Sequence, residues 1–94
     1  MNYHWQKDRL SFTNEDGELL AEIGFKMMNN DQTFVIERTW VSDQARGQGL
    51  AGKITTYFLE EVKTQNKTVL PLCSFTQAYL KKHPEYENLL FKHD

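Results

Sequence analysis

The chain has 94 residues, of which 39% are hydrophobic and 13% aromatic, which is enough for one buried core but not for two domains. Its formal net charge is −2, from 11 basic and 13 acidic residues, and no basic cluster is longer than a pair, which argues against nucleic acid or an anionic membrane as the main partner. The single cysteine, Cys73, cannot form an internal disulfide, and no apolar run reaches a membrane span of about 18 residues, so we expect a cytoplasmic protein.

The first part of the chain is dominated by strand patterns. Residues 1–8 are polar with two aromatics and no clear period, and we interpret them as a tethered arm. Apolar and polar residues alternate from Arg9 to Thr13, and the Asp-Gly pair in residues 15–18 favours a tight hairpin. Residues 19–26 alternate again, and residues 33–41 form a β-branched and aromatic run after a polar loop. The pattern predicts three antiparallel strands in hairpin order.

A glycine-rich stretch follows the third strand and reads Asp43-Gln44-Ala45-Arg46-Gly47-Gln48-Gly49-Leu50-Ala51-Gly52-Lys53. The first N–H groups of a helix have no internal partner and carry the positive end of its dipole, and glycines let an anion approach the backbone. We therefore interpret the stretch as a phosphate-binding turn that suits a diphosphate, although a simple connection remains the alternative. It is neither a dinucleotide fingerprint, for which the chain lacks a second βαβ unit, nor a Walker motif.

The second half of the chain alternates helix and strand. Apolar residues at spacings of one, three and four predict a helix at about Leu50 to Gln65. Residues 68–72 are too few for a helix, and the crossover before them predicts a strand parallel to its neighbour, with a proline that marks an edge or a splayed end. Ser74 is the predicted N-cap of a helix from Phe75 to about Lys82, and residues 84–86 open a last turn that docks on the core.

Four short blocks in this order resemble the compact, single-domain members of the GNAT-like (Gcn5-related) N-acetyltransferases. The blocks are Thr39-Trp40-Val41, Gly47-Gln48-Gly49, Pro71-Leu72-Cys73 and His83-Pro84-Glu85-Tyr86. The resemblance implies one GNAT-like acetyltransferase domain over residues 1–94. Its α/β (α+β) fold would have a mixed central sheet of about five strands, a long helix after the phosphate-binding turn and a shorter C-terminal helix.

The glycine-rich stretch also resembles the superfamily's Q/R-x-x-G-x-G/A motif. Arg46, Gly49 and Ala51 match it in the register that we prefer. A second register, with Gln44, Gly47 and Gly49, also fits, but it would start the helix about two residues early.

The resemblance implies acetyl-coenzyme A (acetyl-CoA) as acetyl donor and an unidentified amine, a small molecule or a protein, as acceptor. In the superfamily the amides of the turn hold the pyrophosphate, and two strands that splay apart take the pantetheine arm. Main-chain groups near Trp40 and Val41 would bind the pantetheine amides. The diphosphate would be held by Arg46, Gly47, Gln48, Gly49, Leu50 and Ala51. The N-terminal helical region that shapes the acceptor site of larger members has no counterpart here, so we expect an open, shallow acceptor site.

Three residues are candidates for the chemistry. Cys73 falls where the splayed strand meets a helix N-terminus, which lowers a thiol pKa, so it is a candidate acetyl acceptor; the alternative is a buried small hydrophobe. Tyr79 occupies the position of a tyrosine in many GNAT enzymes and is the candidate acid, with simple packing as the alternative. Glu37 is the candidate base, although an exposed strand glutamate is commonly only solvated.

The chain departs from the compact family where proton transfer is concerned. It has Arg38-Thr39-Trp40-Val41 in place of the usual His-Thr-Glu-Val, and no histidine lies near Cys73 in sequence, although His83 could reach it through the fold. Three hypotheses therefore remain. They are a small acetyltransferase, an acetyl-CoA-binding module with little or no turnover, and a structural interaction domain that keeps only the fold.

Overall fold

A five-stranded mixed sheet carries two α-helices in the computed structural model, which describes residues 2–92. The strands lie side by side in chain order, and only the last pair is parallel. They are β1 (Asn2–Trp5), β2 (Arg9–Thr13), β3 (Leu19–Met28), β4 (Thr33–Val41) and β5 (Thr68–Pro71). The helices are α1 (Leu50–Thr64) and α2 (Ser74–Lys82), with 3-10 helices at Asp43–Ala45 and Pro84–Leu89. The predicted fold class, the antiparallel strands and the long helix after the turn are confirmed.

The N-terminal segment is a strand, so its interpretation as a tethered arm is wrong. β1 pairs antiparallel with β2 from Asn2 to Trp5. Tyr3 stacks on Tyr57 of α1 with ring centroids 3.7 Å apart, and the ring of Trp5 lies 5.2 Å from that of Phe58. Two alternating aromatics in four residues are too few to show a period, and the strand is held by pairing and aromatic packing that local sequence does not reveal.

One face of the sheet is covered by α1. Phe58, which is fully buried, packs with its ring centroid 5.5 Å from that of Phe25 on β3 and 5.2 Å from that of Phe34 on β4. Burial of an aromatic side chain of this size stabilises the fold by about 2–3 kcal/mol. The C-terminal segment lies against α1 as well, because the hydroxyl of Tyr86 donates a hydrogen bond of 2.6 Å to Glu60. We refer to the side of the sheet that α1 covers as the helix face.

The opposite face carries polar side chains and is open to solvent; we call it the uncovered face. Glu22 is the buried centre of this face, with only 7% of its surface exposed. Its two carboxylate oxygens meet Arg9 at 3.3 Å and Arg38 at 2.5 Å. The side chain of Arg38 lies over Gly24, where a Cβ atom would come within 2.9 Å of the arginine Nε. Both arginine charges of this face are thus held close to the sheet.

A β-bulge in β4 changes which side chains reach the uncovered face. Gly24 pairs with Arg38 while the next residue, Phe25, pairs with Ile36, so Glu37 is an extra residue in β4. Such a bulge interrupts the alternation of side chains. Arg38 and Trp40 consequently lie on the same face as Glu22, the register partner of Trp40.

No helix within residues 2–92 is long and apolar enough to cross a membrane.

Candidate functional site

The turn between β4 and α1 has a backbone that only glycine adopts readily. Gly47 and Gly49 have φ angles of +83° and +72°, in the left-handed region where a Cβ atom is unfavourable. Gly49 is the N-cap of α1, and a Cβ atom placed on it would meet nothing within 4 Å. The space in front of the helix is therefore open, and a side chain at Gly49 would project into it.

The amides of this turn are unpaired. The first backbone bond of α1 runs from the N–H of Lys53 to the carbonyl of Gly49, at 3.1 Å. In the described part of the chain, no N–H from Gly47 to Gly52 donates a backbone hydrogen bond, and the first turn of α1 has no acidic residue. Unpaired amides at the positive end of a helix suit an anion with several acceptor oxygens. The residues present thus fit a diphosphate.

Arg46 adds a positive charge next to this opening. Its side chain is largely exposed and forms an ion pair of 3.2 Å with Asp43, which is exposed as well. Exposed pairs of this kind contribute little free energy. The guanidinium can therefore exchange Asp43 for a phosphate at little cost.

The outer edge of β4 has no partner beyond its middle. β5 pairs with β4 only as far as Pro71 opposite Ile36. The N–H groups of Leu72 and Cys73 then both bond to the carbonyl of Ile36, at 2.9 and 3.1 Å, and the chain turns into α2. Residues 37–41 consequently have no neighbouring strand on that side in the part of the chain described. The expected splaying of two strands takes the form of an early end of β5.

This free edge provides main-chain donors and acceptors for an extended ligand. Trp40 and Val41 lie within it, and the short 3-10 helix Asp43–Ala45 leads from there to the glycine turn. An elongated molecule bound to the turn by its phosphates can therefore continue along β4 towards Thr39.

Cys73 lies beside the free edge of β4. Its sulfur is 3.5 Å from the hydroxyl oxygen of Thr39, and its side chain is half-buried. Burial raises the pKa of the Cys73 thiol. The hydrogen bond with the Thr39 hydroxyl lowers it, as do the nearby backbone of Thr76 and Phe75 and the side chain of Thr76, and together they bring the pKa below its usual value. The thiol is therefore poised to form a thiolate.

The start of α2 explains this environment and corrects one prediction. Ser74, the predicted N-cap, is instead the first helical residue, and Cys73 holds the N-cap position with an extended backbone (φ −72°, ψ 127°). An N-cap side chain faces the N–H groups of the second and third helical residues, which here are Phe75 and Thr76. The sulfur thus lies near these N–H groups, although it makes no capping hydrogen bond of normal geometry.

Thr76 is a site residue that the sequence analysis missed. Its hydroxyl is fully buried and has no conventional hydrogen-bond partner among residues 2–92. The hydroxyls of Thr55 and Thr56 in α1 bond the carbonyl four residues back, whereas that of Thr76 is left to interact with Cys73. A threonine three residues after an N-cap cysteine is the sequence signal that could have revealed this.

Tyr79 bridges the two helices close to the glycine turn. Its hydroxyl forms a short hydrogen bond with Thr56, and a Cβ atom on Gly52 would lie 3.9 Å from its ring. Thr56 already donates its only hydroxyl proton to the carbonyl of Gly52, at 2.9 Å, so the hydroxyl of Tyr79 must be the donor to Thr56. The phenol is placed next to the first turn of α1 with its proton engaged in this bond.

The two remaining candidates have other partners in the structure. Glu37, in the bulge, lies 3.8 Å from Lys26 and is about half exposed. His83 follows the end of α2, about 15 Å along the helix from Cys73, where its ring stacks on Tyr79 at 4.0 Å. The suggestion that His83 reaches the cysteine is therefore wrong, and the role of Glu37 stays a prediction.

Comparisons with known proteins identify the family and the fold. The sequence profile described as GCN5-related N-acetyl-transferase matches residues 9–89. The chain therefore belongs to the GCN5-related N-acetyltransferase (GNAT) family.

Solved structures share the fold. The solution structure of a GCN5-like protein from Staphylococcus aureus, proposed to be an N-acetyltransferase, superimposes with a TM-score of 0.73 and 22% identity, over 99% of this chain and 90% of that chain. A GNAT-family protein from S. aureus subsp. aureus gives a TM-score of 0.54 at 25% identity, over 69% of this chain and 56% of that one. A Bacillus halodurans protein gives 0.50 at 17% identity, over 92% and 59%. The latter two are longer than the chain described here.

Proposed function

We propose that the protein is an acetyl-CoA-dependent N-acetyltransferase that transfers the acetyl group to an amine, and that it works in the cytoplasm. One observation carries the proposal. The unpaired amides of the glycine turn, the free edge of β4 and the Cys73–Thr39 pair follow one another along the path of a single extended ligand. Acetyl-CoA carries a diphosphate, a chain with two amides and a thioester in the same order, which suit the turn, the strand edge and the Cys73–Thr39 pair respectively.

The binding residues act through their main chain. Gly47, Gln48, Gly49, Leu50 and Ala51 would present N–H groups to the diphosphate, with Arg46 beside them. Main-chain groups of Trp40 and Val41 would bond the pantetheine amides. The observed start of α1 at Leu50 supports the register with Arg46, Gly49 and Ala51, because Gly49 is then the N-cap.

Acetyl-CoA supplies a thioester whose acetyl carbon is open to a nucleophile. In direct transfer the amine nitrogen forms a bond to that carbon, the carbon–sulfur bond breaks, the amine loses a proton and the leaving thiolate gains one. Tyr79 is the candidate donor to the thiolate. Because its proton is bonded to Thr56, it must change partner to deliver it.

Transfer through Cys73 is the other route. Its thiolate would take the acetyl group with release of the coenzyme A thiolate, and the amine would then displace Cys73 from the new thioester. The lowered pKa of Cys73 supports this route. The N–H groups of Phe75 and Thr76 that favour the thiolate would also favour its return as leaving group.

A coenzyme A-binding module with little or no turnover is the second candidate. It is favoured by the position of His83 at the opposite end of α2 from Cys73, which removes a histidine base from the cysteine, and by the exposed ion pair in which Lys26 competes for Glu37. All binding residues would still be present.

An acetylation assay with acetyl-CoA and pooled amines and peptides separates the two candidates. An enzyme should release more than one equivalent of coenzyme A thiol per protein only when an acceptor is added, with a matching mass increase of about 42 Da on that acceptor, as one acetyl group replaces a hydrogen. Tight coenzyme A binding without transfer to any amine would select the binding module. Absence of coenzyme A binding would exclude both the acetyltransferase and the binding module.

A further inference from the structure

Two exposed apolar side chains lie on the uncovered face beside the proposed acyl centre. Trp40 is 42% exposed and Leu72 is 57% exposed. Trp40 lies on the free edge of β4, next in sequence to Thr39, and Leu72 directly precedes Cys73, whose sulfur contacts Thr39. The pair thus flanks the point where β5 ends and β4 continues.

The register of the sheet decides which face these side chains reach. Phe25 and Phe34 contact Phe58 of α1, so their side chains define the helix face. Glu22, three residues before Phe25, points to the other face, and its partner Trp40 does the same, because paired residues share a face. Leu70 pairs with Val35, whose partner is Lys26 on the uncovered face, and Leu72 follows Leu70 by two residues.

The helix face carries both helices beside this point. The glycine turn that would hold the donor begins α1, and the hydrogen bond of Tyr79 to Thr56 joins α1 to α2. The uncovered face is therefore the side from which an acceptor would approach the free edge of β4.

Positive charge predominates on the uncovered face next to Trp40. Glu22, the register partner of Trp40, meets both Arg9 and Arg38, whereas Glu37 forms only an exposed pair with Lys26. The buried carboxylate next to Trp40 is thus outnumbered by two guanidinium groups, which disfavours a polycation such as a polyamine. What this part of the surface does offer is an indole ring and a leucine side chain.

From this placement we infer that Trp40 and Leu72 bind the acceptor, and that the acceptor is an amine carried on an apolar or aromatic group. The inference rests on the proposed acetyltransferase function. A planar or apolar group would lie against the indole and leucine while the amine reaches over the edge of β4 to the acetyl carbon.

The first test compares amines. Phenethylamine and tryptamine should be acetylated with a kcat/KM roughly tenfold or more above that of spermidine. Trp40→Ala and Leu72→Ala should each raise the KM for phenethylamine several-fold, and Leu72→Ala should leave the KM for acetyl-CoA unchanged, because Leu72 lies outside the proposed cofactor-binding residues. Preference for spermidine, or an unchanged KM for phenethylamine in both variants, would overturn the inference.

The second test does not depend on activity and uses the two tryptophans of the chain, Trp5 and Trp40. Trp5→Phe leaves Trp40 as the only indole, and titration with phenethylamine should change its emission to saturation, with and without coenzyme A. Trp40→Phe leaves Trp5, on the helix face beside Phe58, whose emission should not change. A flat titration in Trp5→Phe, or equal changes in both variants, would overturn the inference.

Calorimetry with coenzyme A on the same variants distinguishes a failure of the acceptor assignment from a failure of the proposed acetyltransferase function. If coenzyme A binds while the emission of Trp40 stays flat, the acceptor assignment alone fails. If coenzyme A does not bind, the proposed function fails, and the emission titration still decides whether Trp40 takes an apolar amine.

Discussion

Gly49→Val is the substitution that most directly separates cofactor binding from stability. With φ at +72°, a β-branched residue at this position is strained by about 1–3 kcal/mol. The new side chain would project into the open space ahead of α1 and displace an anion from the amides. Hydrogen bonds to charged groups contribute about 1.5–3 kcal/mol each. Loss of two of them predicts that the dissociation constant of coenzyme A rises at least about 100-fold.

The strain has a matched control elsewhere in the chain. Gly17, in the hairpin before β3, has a φ angle of +82°, and a Cβ atom added to it would also meet nothing within 4 Å. Gly17→Val should therefore lose a similar amount of stability without any loss of coenzyme A affinity. Gln48→Ala, at an exposed side chain, should change neither property much. These three variants differ in whether they obstruct the amides and in whether they strain the backbone.

Isothermal titration calorimetry with coenzyme A gives the affinities, and thermal unfolding gives the stabilities. A domain of this size is stable by about 5–15 kcal/mol, so each variant should remain folded. If folded Gly49→Val binds coenzyme A as the unaltered protein does, the diphosphate site is not at this turn. Equal weakening by Gly17→Val would assign the loss to stability instead.

The remaining predictions concern chemistry and stability. Because its pKa is lowered, Cys73 should be alkylated by iodoacetamide with a midpoint at lower pH than that of an unperturbed cysteine in a short peptide, and Thr39→Val should move the midpoint upward; an unmoved midpoint would contradict the hydrogen bond. An acetyl adduct on Cys73, seen by mass spectrometry and lost in Cys73→Ala, would establish the covalent route. Tyr79→Phe should slow transfer with coenzyme A affinity kept, whereas unchanged transfer in both variants would remove both residues from the chemistry. Glu22→Gln should destabilise the fold by about 1–2 kcal/mol, because Arg9 and Arg38 lose their shared counter-ion, and an unchanged melting temperature would refute this.

Much of the fold was predictable because its elements are long enough to show their period. β3 begins at Leu19 and α1 at Leu50, where the patterns start. β1 was missed because four residues carry too little periodicity, and pairing with β2 decides their conformation. Strict alternation from Phe34 would place Arg38 on the helix face, but the bulge at Glu37 reverses it. Bulges depend on the neighbouring strand, which a local pattern does not include.

The site was predictable in part for a similar reason. Closely spaced glycines before a helical pattern indicate a turn that needs positive φ angles, so the turn before α1 could be located from the sequence. The contact of Cys73 with Thr39 depends on where β5 stops beside β4, which is a tertiary property. The hydrogen bond that engages the proton of Tyr79 likewise depends on the packing of α2 against α1. Individual side-chain roles therefore needed the structure.

Amide chemical-shift mapping with acetyl-CoA is the measurement that tests the proposed binding path most directly. In a ¹⁵N-labelled sample, the N–H signals of residues 47–52 and 38–41 and that of Cys73 should shift together and saturate at one affinity. Signals of the hairpin at residues 14–18 should stay in place. No shifts, or saturable shifts confined to residues outside the glycine turn and the free edge of β4, would contradict the assignment of an acetyl-CoA site here.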